Sequence, residues 1–203
     1  MNFFVTGIDT DSGKTLASAI LCEFLEADYW KPIQAGLPRD TDTVQSLISN
    51  NKTFFHNEHY LLTMPASPHA SAKAEGKTLD LLSIKIPETT NHLIIEGAGG
   101  CLVPINDQHF VIDLALKFNC PVVLVADLYL GSINHTLLTA NLLQQKKIIV
   151  KGIIFNGQPN PESERIILHH TKFKKLLHIL PEKTINREIV KKYAEELKSN
   201  WND

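Results

Sequence analysis

The chain has 203 residues, 43% of them hydrophobic and 21% charged, with a formal net charge of −2. That length suits one domain with a sizeable core, and the balance is that of an ordinary globular protein. The near-neutral charge gives no electrostatic footprint for nucleic acid or for an acidic membrane surface. Cys22, Cys101 and Cys120 are an odd count without CxxC spacing, so neither a disulfide framework nor a zinc site is expected, and a reducing compartment fits better. The longest apolar run, Val122 to Ala126, is far too short to cross a bilayer. A cytoplasmic protein without a membrane partner is the expectation.

In chain order, Phe3-Phe4-Val5 reads as the first strand and Gly13 to about Glu26 as the first helix. Tyr29 to Gly36 reads as a second strand running into a loop, and a helix is expected to start near Asp40–Asp42. Further apolar, β-branched runs stand at His92–Ile95, Pro121–Val125, Gly152–Phe155 and Leu176–Leu180. Helical patterns separate or follow them at Val111–Phe118, Ile133–Gln145, Pro161–Phe173 and Asn186–Lys198. Strands apolar on both faces and alternating with helices predict a doubly wound α/β fold, its mostly parallel sheet covered by helices on both faces. No internal repeat or Ser/Gly-rich linker divides the chain, so a single domain over 1–203 is expected. Ligands of such a fold sit beyond the carboxyl ends of the strands, and motifs should cluster there.

The segment Gly7-Ile8-Asp9-Thr10-Asp11-Ser12-Gly13-Lys14-Thr15 lies between the first strand and the first helix. This is the setting of a phosphate-binding P-loop, whose backbone N–H groups and helix N-terminus attract anions. Lys14 would reach the β- and γ-phosphates, and the Thr15 hydroxyl would serve a magnesium ion. The spacing has five residues between Gly7 and Gly13 where four are usual, with Ile8 at the expected glycine position. Glu96, at the end of a buried strand and ahead of Gly97-Ala98-Gly99-Gly100, is costly to bury unless it binds something. A second metal carboxylate is expected from Asp40-Thr41-Asp42; spacing does not choose between Asp40 and Asp42, and helix capping explains either equally well. Lys31 precedes Pro32 and is therefore held extended at a strand end near the P-loop. Taken alone, it reads as a surface lysine.

The ordered set GIDTDSGKT, KPIQAG, DTD, PASPHASAKAEG, EGAGG and GSINHT resembles the dethiobiotin synthetases, from Phe4 to about Asn156. Nothing from Gln158 onward adds to the resemblance. It implies an ATP- and magnesium-dependent ligase that closes a ureido ring on 7,8-diaminononanoate with CO2. By the resemblance, Asp9 to Thr15, Glu96, Gly97, Gly99 and Asn156 would hold the nucleotide, with Asn156 facing adenine. Thr15, Asp42 and Glu96 would hold magnesium. Lys14 and Lys31 would be the catalytic cations, the latter steadying a carbamate. Ala35 and Asn134 would face the substrate, Asn134 from a neighbouring subunit, which implies a homodimer. The family usually has Ser or Thr where Ala35 stands, so one polar contact is missing unless Gln34 or a water replaces it. No Lys-x-Asp follows Asn156, so the guanine-reading pattern is absent.

Three other readings have weaker support. A cobyrinate-type amidotransferase needs a glutaminase segment that this chain lacks. A partition-type ATPase switch carries an extra early lysine where Asp9 stands. A degenerate ATP-binding relative rests on Ala35 alone.

Overall fold

A computed structural model describes residues 1–201. Seven strands form one wholly parallel sheet in the order β4-β2-β6-β1-β7-β8-β9. These are β1 (Asn2–Gly7), β2 (Asp28–Trp30), β4 (Phe55–His56), β6 (Leu93–Gly100), β7 (Val122–Asp127), β8 (Val150–Asn156) and β9 (Lys175–Ile179). The period-2 alternation of side chains divides each central strand between two apolar layers. Phe4, Trp30, Ile95, Leu124 and Phe155 belong to one core; Phe3, Val5, Tyr29, Ile94 and Val125 belong to the other. Continuous apolar runs were therefore the correct signal for a sheet covered on both sides.

Helices α1 (Lys14–Leu25) and α7 (Arg187–Trp201) pack together on the second core, and α2 (Asp40–Leu47) buries Val44 against it. The first core is covered by α3 (Pro68–Ala74), α4 (Ile112–Phe118), α5 (Ser132–Gln145) and α6 (Pro161–Thr171). The strand order reverses around β1, which lies between β6 and β7. A doubly wound sheet opens its binding crevice at such a switch point, above the carboxyl ends.

The expected second strand is two strands in different sheets. After β2 the chain leaves the main sheet at Lys31-Pro32, and β3 (Ile33–Ala35) pairs in parallel with β5 (Tyr60–Leu62) in a two-stranded sheet. Pro32 lacks the N–H needed to continue a ladder. Its carbonyl instead accepts from the amides of His59 and Tyr60. The short elements β4, β5 and α3 were not expected; at two to seven residues they show too little periodicity to be read. The third run extends through Gly97–Gly100 as strand rather than ending at Glu96.

The last helix is fixed by aromatic packing. The Trp201 ring lies edge-on to Phe3 and Phe24, with centroids 5.0 and 5.6 Å away, and Lys151 Nζ sits 4.9 Å over its face. Trp201→Ala should lower the unfolding free energy by about 3 kcal/mol, at the low end for a large buried aromatic. Urea denaturation measures this, and a loss below about 1 kcal/mol would mean that the end of α7 contributes little to the core.

Candidate functional site

The P-loop leaves β1 at Gly7 and turns into α1 through Gly13, whose φ of 94° is the left-handed conformation that glycine adopts without strain. A Cβ at Gly13 would stand 2.6 Å from Asn156 Nδ2, so glycine is required there twice over. Asn156, at the end of β8, donates to the Ser12 carbonyl at 3.2 Å and so braces the loop from two strands away. Ser12 is buried and donates to the Asp9 carbonyl. The Asp9 carboxylate accepts from the Thr10 amide at 2.7 Å, while Asp11 is exposed. Helix α1 has no side-chain cap and no acidic residue in its first turn. Its positive end is therefore left to a ligand.

Lys14 is buried, and its ammonium donates to the carbonyls of Asp9 and Thr10 at 2.8 and 2.5 Å. Burial lowers its pKa to about 8, against a partial counter-effect from Glu96. A cation short of stabilising negative charge is what an incoming phosphate would find.

Strand register builds the other half of the site. Tyr29 pairs with Ile94 and Trp30 with Ile95, so the next residues, Lys31 and Glu96, stand opposite each other on the same face. Both are buried, and Lys31 Nζ lies 2.9 Å from Glu96 Oε1. The ammonium also meets Asp40 Oδ2 at 2.5 Å. Burial opposes the charge on Lys31, yet Glu96 and then Asp40 outweigh it and hold the pKa above the ordinary lysine value. Lys31 is therefore a buried cation between two carboxylates, and the surface reading is overturned. Thr15 Oγ1 lies 3.0 Å from Glu96 Oε1 and 3.1 Å from Asp40 Oδ1. Its single proton serves one of them at a time.

The expectation that Asp42 joins this group is corrected: the carboxylate beside Thr15 and Lys31 is Asp40. Both lie in the first turn of α2, where residues two apart are about 200° apart around the axis and cannot share a face. Asp42 points outward and takes a two-pronged contact from Arg39, at 3.0 and 2.5 Å. That contact lowers its pKa. Gln34, on the wall of the cleft, fixes Asp40 by accepting from its backbone amide at 3.1 Å and donates to the Gly36 carbonyl at 2.9 Å. Its oxygen and one of its two amide protons are engaged with the loop in this way.

These groups line one cleft of about 990 Å³, which includes Lys14, Thr15, Lys31, Ala35, Asp40 and Glu96. Gly99, with φ of 66°, brings the end of β6 to its wall; a Cβ there would lie 2.7 Å from Val103. Gly97 packs below, against Phe4 and Val111. Asn134 is not brought to this cleft: it is exposed on α5, whose first turn follows Gly131. Sequence reading missed Gln34's role and Tyr29, which donates to Glu96 Oε2 at 3.0 Å. The available signal for Tyr29 was its position two residues before Lys31, on the same face of the strand.

A family profile described as an AAA domain matches residues 1–188. The ATP-dependent dethiobiotin synthetase BioD of Cytophaga hutchinsonii is 55% identical over 201 residues, 98% of either chain. The enzyme of the same name from Christiangramia forsetii is 44% identical over 199 residues, covering 97% of this chain and 96% of its own. Among solved structures, the septum site-determining protein MinD of Pyrococcus horikoshii, complexed with Mg-ADP, superposes with a TM-score of 0.56 at 12% identity, over 97% of this chain and 96% of its own. A ParA family ATPase of Chlorobium tepidum gives 0.51, also at 12% identity, over 100% of this chain and 93% of its own. At that identity these two speak for the fold alone. Identity above one half across nearly the whole chain, together with the P-loop and the buried Lys31 group, assigns the chain to the ATP-dependent dethiobiotin synthetase family.

Proposed function

We propose that this protein makes dethiobiotin from 7,8-diaminononanoate, CO2 and ATP, a step of biotin biosynthesis. The observation that carries the reading is the Lys31 ammonium, buried between Glu96 and Asp40 in the cleft that also holds the P-loop. One substrate amine takes up CO2 and loses a proton to become a carbamate. A carbamate oxygen attacks the γ-phosphorus, ADP leaves, and a carbamic-phosphoric anhydride remains. The second amine then attacks the carbonyl carbon, releasing phosphate and closing the ring. No side chain need be covalently modified. The contribution of the chain is to position two negatively charged reactants and lower the repulsion between them.

Each residue has a part in that task. Lys14 and the N-terminus of α1 take the phosphates, and the last turn of the P-loop is kept in shape by Asn156, which is also the candidate for adenine recognition. Lys31 lies where carbamate and γ-phosphoryl group would meet. Thr15, Asp40 and Glu96 are hard oxygen donors clustered around one point, the donor set that suits magnesium bound together with phosphate oxygens. Such an ion would neutralise charge on the phosphates. Ala35 lines the substrate end without a hydroxyl, so the substrate is held there by one polar contact fewer. Asn134, exposed near the start of α5, is available to a second subunit, in keeping with a homodimer. Among the described residues no helix is long and apolar enough to cross a membrane.

The direct test is mass analysis of product after incubation with the diamine, bicarbonate and Mg-ATP; a cleft that hydrolyses ATP but yields no cyclised product would end this reading. Lys31→Met should bind ATP within a few-fold of the unmodified protein yet lose at least about 100-fold in single-turnover product formation, the scale of removing one transition-state charge contact. Normal product formation would return Lys31 to a structural role, and lost ATP binding would move it into the nucleotide site. Asp40→Asn and Asp42→Asn separate the two acids. The first should raise the magnesium concentration needed for half-maximal activity by about tenfold or more, and the second should leave it unchanged. The opposite ranking would restore Asp42.

A further inference from the structure

The Glu96 carboxylate is held at both oxygens. Oε1 receives Lys31 at 2.9 Å and lies 3.0 Å from Thr15 Oγ1. Oε2 receives the Tyr29 hydroxyl at 3.0 Å. Tyr29 is fully buried and its ring lies 6.0 Å from Phe55, so the phenol has little freedom to turn elsewhere. Strand geometry explains the contact. Tyr29 is level with Ile94 in the register of β2 and β6, and Glu96 is two residues further along the same face, within diagonal reach of a long side chain.

We infer that Tyr29 is a positioning residue for the metal carboxylate: by holding Oε2 it turns Oε1 towards Thr15 and the phosphate end of the cleft. This rests on the magnesium reading above. Rotation about the last bond of a glutamate is soft, and a carboxylate anchored only through Oε1 could swing that oxygen away from Thr15 while keeping Lys31. An anchor on the far oxygen removes this freedom before any ligand arrives. Outer groups that orient a ligating carboxylate typically change metal affinity as strongly as this argument requires. Tyr29 touches neither phosphate nor substrate in this reading and acts only through Glu96.

The test is a double-mutant cycle read by equilibrium binding, without turnover. Calorimetry would follow the non-hydrolysable analogue AMPPNP across a magnesium titration, and in EDTA, for the unmodified protein, Tyr29→Phe, Glu96→Gln and the double variant. Tyr29→Phe should require about tenfold more magnesium, bind equally in EDTA, and have no further effect in the Glu96→Gln background. A Tyr29→Phe titration that overlays the unmodified protein while Glu96→Gln weakens overturns the inference and leaves the metal reading standing. Additive effects, or equal weakening in EDTA, also overturn it, because Tyr29 would then act through packing. If Glu96→Gln itself leaves the magnesium requirement unchanged, the metal reading falls and the inference with it. Should Tyr29→Phe fail to fold, the ring ζ-carbon resonance of Tyr29 in the unmodified protein decides instead. It should move when magnesium is added to the AMPPNP complex, and a stationary signal overturns the inference.

Discussion

Burying an ammonium costs several kcal/mol unless opposite charge lies against it, and Lys31 meets that condition with two carboxylates from two different elements. Glu96 reaches it across the β2–β6 ladder and Asp40 from the first turn of α2. The triad therefore ties the central sheet to the helix that closes the cleft, and removal of either acid would leave an under-compensated cation in the interior. In the proposed reaction the same electrostatics serve chemistry. A cation already desolvated and aimed needs no reorganisation when a second anion is brought to a phosphate.

The fold supplies this arrangement through the position of β1. With β6 on one side and β7 on the other, the P-loop emerges at the switch point; β6 delivers Glu96 to one flank, and β8, one strand beyond β7, delivers Asn156 to the other. The small β3–β5 sheet continues the path of β2 after Pro32 and carries Ala35, Gly36 and the loop to Asp40 over the mouth of the cleft. Gln34 binds the two ends of that loop. The fold is shared with a septum site-determining protein and a ParA family ATPase at 12% identity. What distinguishes this chain lies in side chains at the strand ends.

Local signals in the chain were sufficient for the sheet and the phosphate loop. Five of the apolar runs fall on strands of the main sheet, none overhanging its strand by more than one residue, because burial on both faces demands an unbroken apolar segment. The P-loop is legible because Gly13-Lys14-Thr15 follows a strand and opens a helix, and both features are contiguous in sequence. Lys31 was picked out by motif, but its environment was not: taken alone it reads as a solvated lysine.

The remaining features were decided by geometry between elements distant in sequence. Whether Asp40 or Asp42 faces Thr15 depends on the rotation of α2 about its axis, which is set by Val44 packing on the core and by Arg39 drawing Asp42 outward. Tyr29 meets Glu96, 67 residues away, because one strand register pairs Tyr29 with Ile94. The break of the second strand into two sheets follows from Pro32 and from β5, a partner nearly thirty residues downstream. The sequence by itself therefore determined the fold class and the P-loop segment that carries Lys14, both written in short-range periodicity and turn chemistry, whereas Lys31 stood out only through the resemblance. Only the tertiary structure chose the second carboxylate and supplied the anchor of the first, because register and helix rotation are set by packing among residues that no local pattern connects.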